Sequence, residues 1–172
     1  MFTNGAAQQD VHPAQPAPAD GPGPARRPGI VHELTAEHRE IERLLTALQQ
    51  ASEFRARAQL ARKLTGRMDR HLDVAETCLD PAVREHVTGG VGLVVKGRRD
   101  RDEIAVRIDE LRMLDPDDER YPGVLARLRL GVSAHIRDEE DRVFVRLRGA
   151  CTRAQQLALA DRARGASLAG RS

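Results

Sequence analysis

Aromatic residues are almost absent from this sequence. They make up 2% of its 172 residues, as three Phe, one Tyr and no Trp. Sandwiches and barrels of β-strands draw heavily on aromatic and β-branched residues, so the composition argues against them. Charged residues account for 31% of the chain, and together with an aliphatic remainder they are typical of a helical protein.

Long apolar runs and clustered cysteines are also missing. No segment approaches the roughly 20 apolar residues that span a bilayer, and the first residues contain no apolar stretch of the kind found in signal peptides. The two cysteines, Cys78 and Cys151, form neither a CxxC pair nor a zinc-site spacing. We therefore expect a cytoplasmic protein with reduced thiols that does not interact with membranes.

No large excess of either charge is present. The chain has 28 basic and 26 acidic residues and a formal net charge of +2, whereas nucleic-acid binding requires a concentrated basic surface. The one local basic run, KGRRDR at 96–101, has no interleaved aromatic residues. The sequence therefore predicts no nucleic-acid partner.

What the sequence does have is a strong helical period. Residues 1–29 are rich in Pro, Ala, Gly and Gln and lack this period, which predicts a disordered tail. Beyond them, apolar residues recur every 3.6 positions. This spacing predicts long helices at about 30–52, 54–87, 91–114 and 119–148, and a short helix at 152–164.

Short connections between these long helices predict how they pack. The expected fold is all-α: an up-down-up-down antiparallel four-helix bundle over residues 30–150. Residues 151–172 then form a short C-terminal helix and tail. No strand pattern competes with this interpretation.

Each core-facing stripe of the four helices is interrupted by polar residues. The interruptions are His38, His71, Arg101 and, in the fourth helix, His135 with Glu139. Their distances from the turns place them at about the same height in an antiparallel bundle. Because an unpaired buried polar group costs roughly 1–3 kcal/mol, these residues must pair with one another or share a metal ion. Metal sites in helical bundles use inward-facing His and Glu side chains of this kind.

With these residues the chain resembles the hemerythrin-like, or HHE cation-binding, domain of bacterial proteins. Four segments carry the resemblance: LTAEHREIERLL (34–45), RHLDVAETCLDPAVREH (70–86), KGRRDRDEIAVRIDEL (96–111) and HIRDEEDRVF (135–144). The resemblance implies a four-helix bundle that holds two non-haem iron ions. In that family the irons serve oxygen binding, iron or redox sensing, or peroxide chemistry.

Carried over by position, the resemblance implies metal ligands at His38, His71, His135 and Glu139. Glu139 matches a carboxylate that bridges the two irons. Three further acids are candidates to support these ligands from outside or to replace a lost one: Glu76, Glu140 and Glu42.

Two positions depart from the family pattern. The residue four after His71 is Ala75 instead of a glutamate, so one bridging carboxylate is missing. The third helix has Arg101 where the family has a histidine, and a guanidinium has no lone pair to offer a metal. The dinuclear site therefore cannot form in its usual way.

Three outcomes remain open for this site. In the first, one ion remains on His38, His71 and Glu139; Glu76 could also replace the lost glutamate, which would require local unwinding of the helix. Alternatively, the metal is gone and Arg101 fills the second iron's place, paired with Glu139 or Glu76. The third outcome is a dinuclear site built from unusual ligands.

The resulting functional prediction is binding or sensing of non-haem iron or another cation, linked to O2 or another small diatomic ligand. The site is expected to be incomplete, with one ion or none. The alternative class is a metal-free helical scaffold that binds a partner protein. An enzyme would need a redox metal with an open position, and it is the interpretation with the least support.

Overall fold

A computed structural model of the protein describes residues 27–169, and the side chains of residues 27–166. Regular structure in this part of the chain is entirely helical, which confirms the predicted all-α fold. The disordered tail predicted for residues 1–29 lies outside the described residues, except for its last three positions.

The described chain forms seven α-helices and two π-helical segments. The helices are α1 (Ile30–Gln50), α2 (Phe54–Val74), α3 (Asp80–His86), α4 (Gly90–Met113), α5 (Tyr121–Asp138), α6 (Val145–Ala150) and α7 (Arg153–Ala169). The first π segment (Ala75–Leu79) joins α2 to α3, and the second (Glu139–Phe144) joins α5 to α6, without a break in either case. The four long helices predicted from the sequence are therefore present, two of them with a π segment inside.

These long helices pack as a closed ring. α1 lies against α2, α4 against α5, and contacts of α2 with α4 and of α1 with α5 complete the bundle. The last helix is longer than predicted, since α7 runs to Ala169. It packs against α1, α2 and the first π segment and buries Leu159, Ala160 and Ala163.

Two glycines allow the sharp connection between α3 and α4. Gly89 has a φ of 72°, in the left-handed region that residues with a side chain avoid. A Cβ at Gly90 would lie 2.1 Å from the carbonyl oxygen of Val83. The start of α4 can therefore approach the end of α3 only because residue 90 has no side chain.

A layer of polar side chains divides the apolar core into two clusters. One cluster includes Leu34, Leu79 and Phe144, and the other includes Ile41, Met68 and Leu128. Along each long helix, the residue that separates the two clusters is polar. None of the helices in the described part of the chain is long and apolar enough to cross a membrane.

Candidate metal centre

Four of the polar residues that divide the core form one cluster, in which three histidines surround the carboxylate of a glutamate. α1 contributes His38, α2 contributes His71, α5 contributes His135, and Glu139 is the first residue of the second π segment. All four are at most 3% exposed. The structure thus brings together the four residues that the sequence marked as candidate ligands.

The Glu139 carboxylate lies between the three imidazole rings. Its Oε2 atom is 3.2 Å from His38 Nε2 and 3.5 Å from His71 Nε2, and its Oε1 atom is 3.4 Å from His135 Nε2. The His71 ring centroid is 4.9 Å from that of His38 and 5.7 Å from that of His135. Each histidine therefore directs its Nε2 atom towards the Glu139 carboxylate, with His38 and His71 on one oxygen and His135 on the other.

Both π segments begin four residues after a histidine of this cluster. Ala75 follows His71, and Glu139 follows His135. A π segment adds a residue to a helical turn and rotates the residues after it about the helix axis, and such segments are frequent at functional sites. In the second segment the rotation leaves Val143 and Phe144 both buried, and the Phe144 ring stacks on His38 at 5.4 Å.

Two further carboxylates lie within hydrogen-bond distance of the Nδ1 atoms of His38 and His71, on the side of each ring that faces away from Glu139. Glu140 Oε1 lies 2.9 Å from His38 Nδ1, and Glu37 Oε2 lies 3.4 Å from His71 Nδ1. Histidines that bind metals are commonly oriented by a carboxylate on the other ring nitrogen. Sequence reasoning selected Glu140 but missed Glu37, since nothing in the helical pattern distinguishes that glutamate from its exposed neighbours.

The other two acids proposed as supporting or substitute ligands lie away from the cluster. The Glu42 side chain is 43% exposed and accepts a hydrogen bond from Arg39. Glu76 is 66% exposed and lies 3.7 Å from Arg98. In this structure Glu76 therefore does not take the place of the lost glutamate. Ala75 itself is fully buried and offers no ligand atom.

Arg101 points inward but not towards the expected partners. Its guanidinium donates to Asp80 at 2.6 Å, and the two side chains are only 8% and 4% exposed. Arg98 also donates to Asp80, at 3.1 Å. The predicted pairing of Arg101 with Glu139 or Glu76 is thus wrong. The partner is Asp80, which the sequence analysis did not select.

Protonation in the cluster is set by burial and by Glu139. Burial raises the pKa of Glu139, but His135, His38 and His71 outweigh it and hold that pKa well below its usual range. Burial lowers the pKa of His71, yet the Glu139 and Glu37 carboxylates on either side raise it to about 9. Burial lowers the pKa of His135 to about 4 despite the charge of Glu139. The protein alone therefore holds an ionised Glu139, a protonated His71 and a neutral His135 at neutral pH.

The donor set fits one metal ion. His38, His71 and Glu139 each offer a ligand atom, and these atoms all lie within 4.8 Å of one another. This limit is close to the separation of up to about 4.2 Å between atoms that share an ion at roughly 2.1 Å. The buried Nε2 atoms of His71 and His135 have no hydrogen-bond partner among the described residues. Ala75 has no donor atom and Arg101 is a cation held by Asp80, so two donors that the family resemblance implies are missing.

Comparison with known proteins agrees with this fold. The family model described as the hemerythrin HHE cation binding domain matches residues 29–147. The chain belongs to the hemerythrin HHE cation-binding domain family. It thus shares that family's cation-binding domain.

A solved structure shows the same fold. The crystal structure of a hemerythrin HHE cation binding domain-containing protein from Mycobacterium kansasii superposes with a TM-score of 0.70 at 15% sequence identity. The match covers 81% of this chain and 85% of that protein. No curated protein sequence matches the chain at a significant level.

Proposed function

We propose that this protein binds a single metal ion through His38, His71, His135 and Glu139, and that it acts in cation- or oxygen-linked binding or sensing. Non-haem iron is the physiological ion in this proposal, because the family uses it and because imidazole and carboxylate donors suit it. The observation that carries the proposal is the convergence of three imidazole Nε2 atoms on the Glu139 carboxylate, at 3.2, 3.5 and 3.4 Å.

The unpartnered nitrogens favour an ion over a purely internal polar network. A buried donor or acceptor without a partner costs roughly 1–3 kcal/mol. The Nε2 atoms of His71 and His135 make no well-formed hydrogen bond among the described residues, although Glu139 oxygens lie 3.5 and 3.4 Å away. A cation at the centre of the cluster would satisfy both nitrogens and offset the charge of Glu139 at once.

The surrounding residues suit a site with restricted access to water. Glu140 and Glu37 orient the rings of His38 and His71 through their Nδ1 atoms, and Phe144 covers one face of His38. A bound iron would supply Lewis acidity and one-electron redox chemistry. A set of three histidines and one carboxylate leaves coordination positions open, which sensing of O2 or another small diatomic ligand requires.

The competing function is a metal-free helical scaffold that binds a partner protein. The buried pair of Arg101 and Asp80 favours it, because this pair supplies a fixed cation in the core without any metal. Retention of His38, His71 and His135 around Glu139 argues for the metal-binding function instead. The two classes differ in one measurable property, which is the affinity of the purified protein for ferrous iron.

The test is an anaerobic titration of the protein with ferrous iron, in which calorimetry measures the binding. The wild-type protein should bind one equivalent, and His71→Ala should weaken binding strongly. Loss of an outer partner alone typically costs 10–100-fold in metal affinity, so loss of a ligand should cost more than about 100-fold. His86→Ala is the matched control, since His86 lies outside the cluster, with Glu85 at 3.8 Å. A wild-type protein that binds no divalent metal, or a His71→Ala variant with unchanged affinity, would rule out this site.

A further inference from the structure

A second group of buried polar atoms lies towards the other end of the bundle, beside the start of α5. Here a recess of about 150 Å³ is walled by Leu48, Leu125 and Ala126. Tyr121, which lines it, precedes His135 by fourteen residues in the same helix, a separation of about 21 Å at 1.5 Å per residue. The recess is therefore separate from the metal centre.

Two residues that line this recess each contain a buried hydrogen-bond donor without a partner among the described residues. Tyr121 is 2% exposed, and its hydroxyl makes no hydrogen bond to any residue that the structure describes. The buried Nε atom of Arg57 is in the same state. The rest of the Arg57 guanidinium is fixed, because it donates to the carbonyl oxygens of Pro116 and Ser52 and to the Asp117 carboxylate. Its Nε–H group is held in place by these contacts and has no acceptor among the described residues.

The charge of the recess is positive. Arg129 also lines it, and its guanidinium donates to the side-chain oxygen of Gln49. Within the part of the chain that the structure describes, no carboxylate lies within ion-pair distance of Arg129. The residues that line the recess include no acid, although Asp117 pairs with the far side of Arg57.

The ligand chemistry follows from these groups. We propose that the recess binds a short-chain aliphatic carboxylate, whose oxygens accept hydrogen bonds from Tyr121 Oη and Arg57 Nε and face Arg129, while its alkyl chain packs against Leu48 and Leu125. A volume of about 150 Å³ corresponds to roughly five water molecules at about 30 Å³ each, which suits an acid of about four carbons.

The state of the Tyr121 hydroxyl supports a role as donor. Burial raises the pKa of Tyr121, although the nearby Arg57 lowers it somewhat. The hydroxyl consequently keeps its proton at neutral pH and can donate a hydrogen bond to an anion. Charge-assisted hydrogen bonds of this kind are shorter and stronger than neutral ones.

The protein contains one tyrosine and no tryptophan, so its intrinsic fluorescence reports on this recess alone. The test is a titration of the full-length protein with butyrate at constant ionic strength, with butyramide as the uncharged probe of equal size. Butyrate should change the Tyr121 emission in a saturable manner, and butyramide should not.

Variants on the surface of α5 make the test specific. Arg129→Gln should weaken butyrate binding about tenfold through loss of one charged contact, and Ala126→Leu should abolish it by filling the recess. Arg127→Gln is the matched control: Arg127 is 56% exposed, outside the recess, and should leave binding unchanged. Circular dichroism checks that each variant is folded.

Three results would overturn the proposal. One is the absence of a saturable response to butyrate, which would mean that the recess holds water only. The second is an equal response to butyramide, and the third is unchanged affinity in both Arg129→Gln and Ala126→Leu.

Discussion

Arg101 stands where the family resemblance places a histidine, and it donates to Asp80 at 2.6 Å inside the core. A fixed guanidinium near the place of a second ion supplies positive charge that does not depend on metal supply. Buried ion pairs of this kind preserve a geometry without necessarily adding stability. At the scale of residues, this pair places a fixed positive charge in the core at the position where the resemblance implies a histidine.

Breaking this pair on one side should destabilise the fold. Arg101→Met leaves Asp80 buried with only Arg98 at 3.1 Å, so we expect a loss of about 3 kcal/mol in the free energy of unfolding. The double variant Arg101→Met/Asp80→Leu should lose less than the sum of the two single variants, because no unpaired charge remains. Urea unfolding measures all three, and strictly additive losses would show that the two side chains are not coupled.

Restoring the two family residues should restore the second ion. The double variant Ala75→Glu/Arg101→His supplies a carboxylate and an imidazole at the positions where both are missing. We expect its metal content to rise from one ion per chain to two, while each single variant remains at one. A double variant that is folded and still binds one ion would show that Asp80, or the packing around it, also excludes the second metal.

Metal affinity should rise with pH because of His71. In the metal-free protein the pKa of this residue is about 9, so an ion must displace its proton at neutral pH. Glu139 is already ionised and His135 already neutral. The apparent affinity for Zn²⁺ should therefore increase about tenfold per pH unit between roughly pH 6 and 8, as a calorimetric titration can measure. A flat profile would mean that His71 is not a ligand.

The metal-free protein should show the opposite trend in stability. A histidine whose pKa is raised from 6.5 to about 9 on folding stabilises the fold fully below pH 6.5. That contribution is lost as the pH rises through about 9. Urea unfolding in the presence of a chelator, at pH 6.5 and at pH 9, separates this effect from metal binding.

At the scale of elements, the helices could be predicted and the π segments could not. The 3.6-residue stripe through His38, His71 and His135 predicted their inward direction and their common height, because burial alone enforces that spacing. The π segments at Ala75–Leu79 and Glu139–Phe144 depend on tertiary packing. A regular helical period therefore could not predict that Asp80 would turn inward to Arg101.

The connection between α3 and α4 offers a direct test of packing at this scale. Gly90→Ala should destabilise the protein strongly, because the new Cβ would lie 2.1 Å from the Val83 carbonyl oxygen. Gly92→Ala is the control in the same helix, since its Cβ would meet nothing within 4 Å, and it should stabilise the helix by up to about 1 kcal/mol. Thermal unfolding compares the two, and similar melting temperatures would contradict the close approach.

At the scale of the whole molecule, a bundle with two apolar clusters holds a polar layer between them. The clusters supply the hydrophobic stabilisation. The layer contains two groups of polar side chains, which are His38, His71 and His135 around Glu139, and Arg101 with Asp80. Composition and periodicity were sufficient to predict the bundle. They could not decide the number of ions, which depends on where single side chains point.

The most direct test of a single-ion centre is the metal content of the protein, purified without an affinity tag and measured by mass spectrometry after anaerobic loading with ferrous iron. We expect about one iron per chain in the wild-type protein and none in His38→Ala. Two irons per chain would contradict the replacement of the second ion by Arg101 and Asp80. No iron, and no other divalent metal in its place, would contradict the metal centre itself.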